Sequence, residues 1–423
     1  MNVIKLDDFP IDPIQDQIYE VIPDKTKIVA STNRLFNKYP TRYISAVPRF
    51  AINAYSKCGE TVLDPFCGSG TTAIEAMLLG RNAVSIDIDP FARLLIKVKT
   101  TIYTDKDIKL LETIINTMKG MKPDKRKKYP LPDIPNIDKW FCEKSRIGLA
   151  FIKSTIDNLS ADNTNVRDYL YVVMAGIIRK VSNADEVSPK PYVSTRFPKT
   201  PADPFELFYK TEAMYREAII DFSRDVSSFD CHSLILDSKD ARVIDTDQIV
   251  DLAVTSPPYI NAYDYVRSLR FEDMWLGLAS DEELRNSRKS YIGTETTQSF
   301  YDSYCYAKQS ETLVPIVNEI EKVDSRRANI VSTYFEDMAK NMIAVFHKLK
   351  TGGRYVIVVG DSNIRGQNIP TARILTEIAE KNGYAFELSF KYVIRDRYLH
   401  LPRAGRGGII KYDEVLVIHK KVV

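Results

Sequence analysis

The stretch from residue 60 to residue 90 constrains the fold more than any other. ETVLDPF reads as a short buried strand ending at Asp64, and CGSGTTAIEAMLLG reads as a glycine turn opening a helix that closes at Gly80. RNAVSIDIDP then reads as a second strand ending in the acids Asp87 and Asp89. A parallel strand pair needs a crossover, and the crossover is right-handed in nearly all known cases. Strand, glycine turn, helix, strand and acid in that order make the first βαβ unit of a nucleotide-binding α/β domain.

The other strand signals lie far away, in HSLILD, DLAVTS, GGRYVIVVGD, YAFELSFKYVI and DEVLVIHK, all beyond residue 230. Between them, residues 104–230 carry four helical patterns (IKLLETIINTMKGM, KSRIGLAFIKSTIDNL, RDYLYVVMAGIIRKV and PFELFYKTEAMYREAIIDFSRDV) broken by the proline-rich loops YPLPDIP and SPKPYVSTRFPKTPADP. The expected architecture is therefore one open, mostly parallel sheet assembled from both sides of a helical insertion. Its last two strands are close enough in sequence to pair antiparallel. A second polar, helical stretch at about 280–345 interrupts the later strands, and residues 1–30 read as a loose lead-in. The expected divisions are 1–103, 104–230 and 231–423.

Composition narrows the setting. No apolar run reaches the roughly 18 residues of a membrane-spanning helix, and the start, MNVIKLDDFPIDPIQDQ, lacks a basic-then-apolar signal pattern. Cys58, Cys67, Cys142, Cys231 and Cys305 are scattered with no CxxC pair, so neither a zinc site nor a disulfide framework is expected. A cytoplasmic protein without a bound metal or membrane follows. The net charge of +3 does not announce a nucleic-acid partner. The local runs KPDKRKK (122–128) and RDRYLHLPRAGRGGIIK (395–411) are either solvated faces or phosphate contacts.

The motifs carry the chemistry. In DPFCGSGTT, Gly68 and Gly70 permit a tight turn and close backbone approach to a ligand. No GK[ST] follows, so a phosphate loop for ATP or GTP is excluded. The dinucleotide pattern GxGxxG fits poorly, with Ala73 at the third position. Asp87, 23 residues after Asp64, stands where an acid accepts hydrogen bonds from the two ribose hydroxyls of an adenosine; it is alternatively a cap. In LDSKDARVI, Asp240 is either a helix cap or a reader of an adenine edge. In TSPPY (255–259) the prolines stiffen the chain and leave carbonyl acceptors beside an aromatic ring, a clamp for a flat group bearing an amine.

DPFCGSGTT followed later by TSPPY resembles the motif pair of S-adenosylmethionine-dependent DNA amino-methyltransferases, of the N4-cytosine type found in type II restriction–modification methylases. NKYPTRYISAVPRFAI (37–52) resembles the segment that this family places before the glycine motif. The likeness covers both halves of the sheet and neither insertion. It implies a Rossmann-like methyltransferase fold. It also implies that Asp64, Pro65, Phe66, Cys67, Gly68, Ser69, Gly70 and Thr71 line the methionine and ribose of the cofactor. Asp87 would hold the ribose and Ile88 would lie on the adenine face. Asp240 and Ala241 would approach the adenine edge, and Tyr39, Pro40 and Thr41 would close the pocket. Ser256 and the carbonyl of Pro257, with Pro258 behind them, would accept the amine hydrogens of a flipped base on which Tyr259 stacks.

Serine at position 256 implies cytosine N4; adenine N6, an RNA substrate or an inactive DNA-binding relative are the alternatives. Duplex DNA is the expected partner, with a companion restriction endonuclease in function and not as a stable complex. A reader of bases needs polar and basic side chains. Arg179, Lys180, Ser182, Asn183 and Arg196 in the insertion are candidates, with a plain surface loop as the competing reading, and Arg403 and Arg406 are candidates for the DNA backbone. Trp275, with Tyr263, Tyr265 and Phe271, follows helical spacing and is expected in the core.

Overall fold

The computed structural model describes residues 3–22, 31–36, 39–124, 126–188, 190–236, 238–260, 264–294, 304–395 and 411–422. In chain order the first elements are β1 (Val3–Leu6), β2 (Ile18–Val21), α1 (Ala46–Tyr55), β3 (Thr61–Asp64), α2 (Thr71–Leu78), β4 (Asn82–Ser85) and α3 (Pro90–Thr100). The helical insertion holds α4 (Asp105–Lys119), α5 (Ile137–Trp140), α6 (Glu143–Leu159), α7 (Thr164–Val181) and α8 (Pro204–Val226). There follow β5 (Ser233–Ile235), β6 (Val250–Thr255), α9 (Tyr265–Leu276), α10 (Asp281–Ser287), α11 (Leu313–Glu321), α12 (Ser325–Lys348) and β7 (Leu349–Val359). The chain closes with the β8 (Ser362–Ile364) and β9 (Gln367–Ile369) hairpin, α13 (Thr371–Lys381), β10 (Tyr384–Val393) and β11 (Tyr412–Lys420).

Among the described residues, nine strands form one sheet in the order β1-β2-β10-β11-β7-β6-β3-β4-β5. β11 alone is reversed: it pairs antiparallel with both β10 and β7, and every other neighbouring pair is parallel. This is the expected Rossmann-like arrangement. β3 leads through α2 to β4 on one side, while β6 and β7 extend the sheet on the other. The order therefore reverses between β3 and β6, the place where open α/β sheets bind ligands.

The lead-in departs from expectation. VIKL and IYEV are too short to declare themselves as strands, yet they form the far edge of the sheet, with Ile18 and Tyr19 paired to Lys391 and Tyr392 of β10. Packing from the other end of the chain fixes them: Phe9 and Tyr19 meet Phe390 edge-on, and Phe9 also meets Phe50 and Tyr392. Arg49 of α1 completes the tie by bonding both Asp8 and the buried Glu75 of α2.

Two apolar layers sandwich the sheet. α1 and α2 cover one face, where Val62, Val254, Val356 and Val417 point. α12 and α13 cover the other, against Leu63, Ala253, Ile357 and Leu416. The alternation along each strand follows the two-residue period of the pleat. A third apolar cluster joins α3, α4, α6, α7, α8 and α9, and Phe271 and Trp275 are buried in it as expected. The helical insertion is thus packed onto α3, the helix that starts beside the glycine turn. Tyr263 lies outside the described residues.

Candidate functional site

β3 and β6 end side by side, and their last residues bond. Thr255 donates its hydroxyl to Asp64 Oδ1 at 2.6 Å, while the hydroxyl of Thr72 on α2 and the Phe66 N–H also bond the Asp64 carboxylate. Asp64 is only 1% exposed. The resemblance put it in the cofactor wall; instead it sits beneath the wall, joining the glycine motif to the strand that carries TSPPY. Burial pushes its carboxyl up to about 6, against the pull of these hydrogen bonds.

The glycine turn is shaped by two residues in the left-handed region, Gly68 (φ +47°) and Gly70 (φ +84°). A side chain on Gly70 would meet Ile96 at 2.8 Å, and one on Gly68 would press the Tyr39 ring at 3.2 Å. Gly70 lets the turn pack against the Ile96 side chain, and Gly68 lets it pack against the Tyr39 ring beside the cavity. Lys99, fully buried on α3, donates from Nζ to the Ser69 carbonyl at 2.9 Å and holds the turn from below. Burial lowers its ammonium well below the ordinary lysine range. No sequence motif pointed to Lys99; it is a basic residue inside an otherwise apolar helical stripe.

A cavity opens above this turn. Pro65, Phe66, Cys67, Gly68, Ser69 and Thr71 line one side, Asp87 and Ile88 the next, and Asp240 and Ala241 a third. Tyr39 and Thr41 line its rim, and Ser256 and Pro258 its far end. Pro40, Asp64, Gly70, Pro257 and Tyr259 lie outside the lining. Asp87 stands just past the end of β4, where its carboxylate accepts the Gly68 N–H at 2.8 Å and the Asp89 N–H at 2.9 Å. Each carboxylate oxygen has two acceptor directions, so both retain capacity for a ligand hydroxyl. Asp240 is committed differently: Arg242 takes both its oxygens at 2.9 Å and reaches on to Asp337 and the Ser290 carbonyl. That leaves its backbone and Ala241, rather than a free carboxylate, to face a ligand edge. Asn341 anchors the Ala241 carbonyl.

Several wall residues carried no recognisable signal. Ser290, Tyr291 and Ile292, in the second polar stretch, line the cavity, and Tyr291 donates to Asp89 Oδ2 at 3.2 Å. Gly293 lies so close to the proline motif that a Cβ there would stand 2.7 Å from the Tyr259 carbonyl oxygen. Tyr265 also differs from its expected core role: it lines the cavity and bonds Thr41 at 2.5 Å. Thr41 itself, a β-branched residue, holds φ at +53°, a strained conformation that such side chains keep only where surroundings enforce it.

Asp87 and Asp89 line the cavity, and the buried Glu272 and Asp273 lie outside the lining. Burial, then the Asp87 charge, push Asp89 up to about 7. Burial pushes Glu272 of α9 up to about 8, and burial with the Asp89 charge raises Asp273. The residues fit S-adenosylmethionine in kind: a glycine turn at the cavity, an acid with spare acceptor capacity for ribose, the apolar faces of Ile88 and Phe66, and Asp89 in the lining, suited when ionised to a cationic ligand.

The basic candidates divide. Ser182 is fully buried and bonds the Arg179 carbonyl, so it cannot reach DNA. Arg179 is spent on its own loop, donating to the Asp185 and Ser188 carbonyls at 2.9 and 2.7 Å. Asn183 likewise donates to the Lys139 carbonyl. These three shape the loop, as its plain surface reading allowed. Lys180 is half-buried, and Arg196 is exposed with its guanidinium 5.3 Å from the Phe197 ring. Arg403 and Arg406 lie outside the described residues.

An open α/β sheet with a cavity at its switch point, bordered by the glycine turn, Asp87 and Ser256 and Pro258 of TSPPY, is the arrangement that the resemblance implied. Comparison with known proteins agrees. Residues 15–98 match the family model described as DNA methylase. The chain is 26% identical over 387 residues to the type II methyltransferase M.MvaI of Kocuria varians, covering 86% of this chain and 85% of that protein. It is 24% identical over 378 residues to M.BsoBI of Geobacillus stearothermophilus, covering 77% and 73%. A shorter match, 35% over 80 residues, links it to M.MjaII of Methanocaldococcus jannaschii, covering 19% and 14%. These matches support a DNA methylase of the type II kind, and the methyl donor of that family is S-adenosylmethionine. Among the described residues no helix is long and apolar enough to cross a membrane.

Proposed function

We propose that this protein methylates the exocyclic N4 amine of a cytosine flipped out of duplex DNA, at a specific sequence, and that it protects DNA from a companion restriction endonuclease. The observation that carries the reading is that Ser256 and Pro258, just past β6, border the same cavity as Gly68, past β3, and Asp87, past β4, with β3 and β6 tied by Asp64 and Thr255. Bound S-adenosylmethionine supplies an electrophilic sulfonium methyl at the end of that cavity.

The chain's own residues do the rest. An aromatic amine is a weak nucleophile because its lone pair is delocalised into the ring. Ser256 Oγ and the Pro257 carbonyl accept its two hydrogens and draw them out of the ring plane, localising the lone pair toward the methyl. The prolines keep these acceptors rigid, so the gain comes from positioning and preorganised dipoles. As the nitrogen–methyl bond forms the methyl–sulfur bond breaks, with the thioether as leaving group, and the cationic nitrogen then releases its proton to water, so no strong base is needed. Tyr259 stacks on the flipped base. Asp87 holds the ribose hydroxyls, Ile88 the adenine face, and the backbone at 240–241 the adenine edge. The helical region 104–230 is assigned to target recognition, with Lys180 and Arg196 as its DNA contacts. Serine, a neutral acceptor, favours cytosine because it sets no carboxylate against the ring acceptors of that base; adenine N6 is the second reading.

The test is Ser256→Ala. S-Adenosylmethionine binding and melting temperature should stay at wild-type values while methyl transfer to DNA falls at least about a hundredfold, as when one preorganised donor or acceptor is removed from an enzyme site. Wild-type turnover in this variant would sink the clamp mechanism.

A further inference from the structure

We infer that Asp413 is a positioning residue of the base-binding site: it holds the phenols of Tyr259 and Tyr392, and so fixes the ring on which the flipped base stacks. This rests on the base-stacking role proposed above for Tyr259. Tyr259 donates its hydroxyl to Asp413 Oδ1 at 2.6 Å, and Tyr392 donates to Oδ2 at 2.9 Å. The topology brings them together. TSPPY leaves the sheet at the carboxyl end of β6. β11 is the one reversed strand, so its first residues return to that same edge. Asp413 stands there directly opposite Tyr392 of β10.

Asp413 is 8% exposed, on the sheet face where Val415 and Val417 are buried among apolar neighbours. Among the described residues no lysine or arginine pairs with it. A buried carboxylate without a cation costs stability unless its oxygens are hydrogen-bonded, and here the two phenols supply those bonds. A valine at 413 would continue the apolar stripe of this strand but leave the hydroxyls of Tyr259 and the buried Tyr392 without their acceptor. What the acid does is grip the tip of Tyr259. Gly293 lies close to the backbone of the same residue, where a Cβ would stand only 2.7 Å from its carbonyl oxygen and so has no room. Tyr259 is thereby held at both ends, and its ring orientation is set before DNA arrives. Asp413 touches neither cofactor nor base in this arrangement; it acts through the Tyr259 hydroxyl.

The experiment compares wild type, Asp413→Asn, Tyr259→Phe and the double variant of the full chain. Each is assayed for labelled-methyl transfer to unmethylated genomic DNA, with kcat and the KM for DNA separated, for S-adenosylmethionine affinity by calorimetry, and for melting temperature. Tyr259→Phe keeps the ring and removes only the gripped oxygen. The expected result is a loss in kcat of about tenfold in each single variant, the scale of a misplaced reacting group. The double variant should be no worse than the poorer single variant, and cofactor affinity should be unchanged. A wild-type kcat in Tyr259→Phe overturns the assignment even if Asp413→Asn fails to fold. Losses that multiply in the double variant, or that track cofactor affinity, also overturn it. A wild type that transfers no methyl to any DNA removes the base-stacking reading itself, and this assignment with it; an active wild type with unimpaired variants removes the assignment alone.

Discussion

The hydroxyl of Thr255 lies 2.6 Å from Asp64 Oδ1, so the last residue of β6 and the last residue of β3 are bonded side chain to side chain where the strand order reverses. One of these strands opens into the glycine turn and the other into the proline clamp. The bond therefore sets the distance between the glycine turn and the TSPPY segment, which on the proposed reading hold the methyl donor and the methyl acceptor. Neither residue needs to touch a ligand to matter.

Thr255→Val keeps the shape and removes the bond. It leaves a buried carboxylate oxygen with the Phe66 N–H alone, which should cost about 1–3 kcal/mol of stability. Turnover should fall by more than S-adenosylmethionine affinity, because in-line transfer is sensitive to sub-ångström displacement of the clamp. Thr255→Ser retains the hydroxyl and should recover most of both. Melting curves and kcat for the two variants check this; equal behaviour of Val and Ser would refute it.

The buried acids predict a pH dependence. In an unfolded chain a carboxyl releases its proton near pH 4, whereas Asp64 and Asp89 hold theirs to about 6 and about 7. Over that window the native state binds more protons than the unfolded state, so these two groups lower stability as pH rises through it. A cationic ligand prefers the ionised form of Asp89. S-Adenosylmethionine should therefore gain affinity relative to S-adenosylhomocysteine, whose sulfur carries no charge, between about pH 6 and about pH 8, as linkage requires. Calorimetric titration of both ligands across that range measures the ratio, and a flat ratio counts against Asp89 as part of the cation site.

The two kinds of basic-loop residue should separate in salt. Arg196→Ala should reduce the slope of log affinity against log salt by about one phosphate contact. Ser182→Ala should leave that slope unchanged, since Ser182 is buried under its own loop. Filter binding to a long duplex at several salt concentrations distinguishes them; an unchanged slope in Arg196→Ala removes Arg196 from the interface.

Much of the fold was legible because periodicity and turn chemistry are local. The run from Thr61 to Asp87 announced its strand, turn, helix and strand, and α4, α6, α7 and α8 of the insertion declared themselves by apolar spacing, while the four-residue α5 did not. β1 and β2 were not legible: four residues each, they become strands only by pairing with β10 from the opposite end of the chain. The site divided in the same way. Gly68, Asp87 and Ser256 sit in short motifs whose geometry demands those residue types. Lys99, Tyr291 and Gly293 reach the site through tertiary packing, and nothing in their immediate neighbours marks them. Asp64 belonged to a recognised motif, yet its carboxylate is turned inward to Thr255 and Thr72. Arg179 looked like a base reader because loops rich in Arg, Ser and Asn are also the loops that fold on their own hydrogen bonds.

The most direct measurement is nucleoside mass spectrometry on unmethylated DNA incubated with the protein and S-adenosylmethionine. N4-methylcytosine, appearing with wild type and lost with Ser256→Ala, is the predicted result. N6-methyladenine would keep the clamp and overturn the assignment of cytosine through Ser256, and no methylated base on any duplex DNA would contradict the proposed reaction altogether.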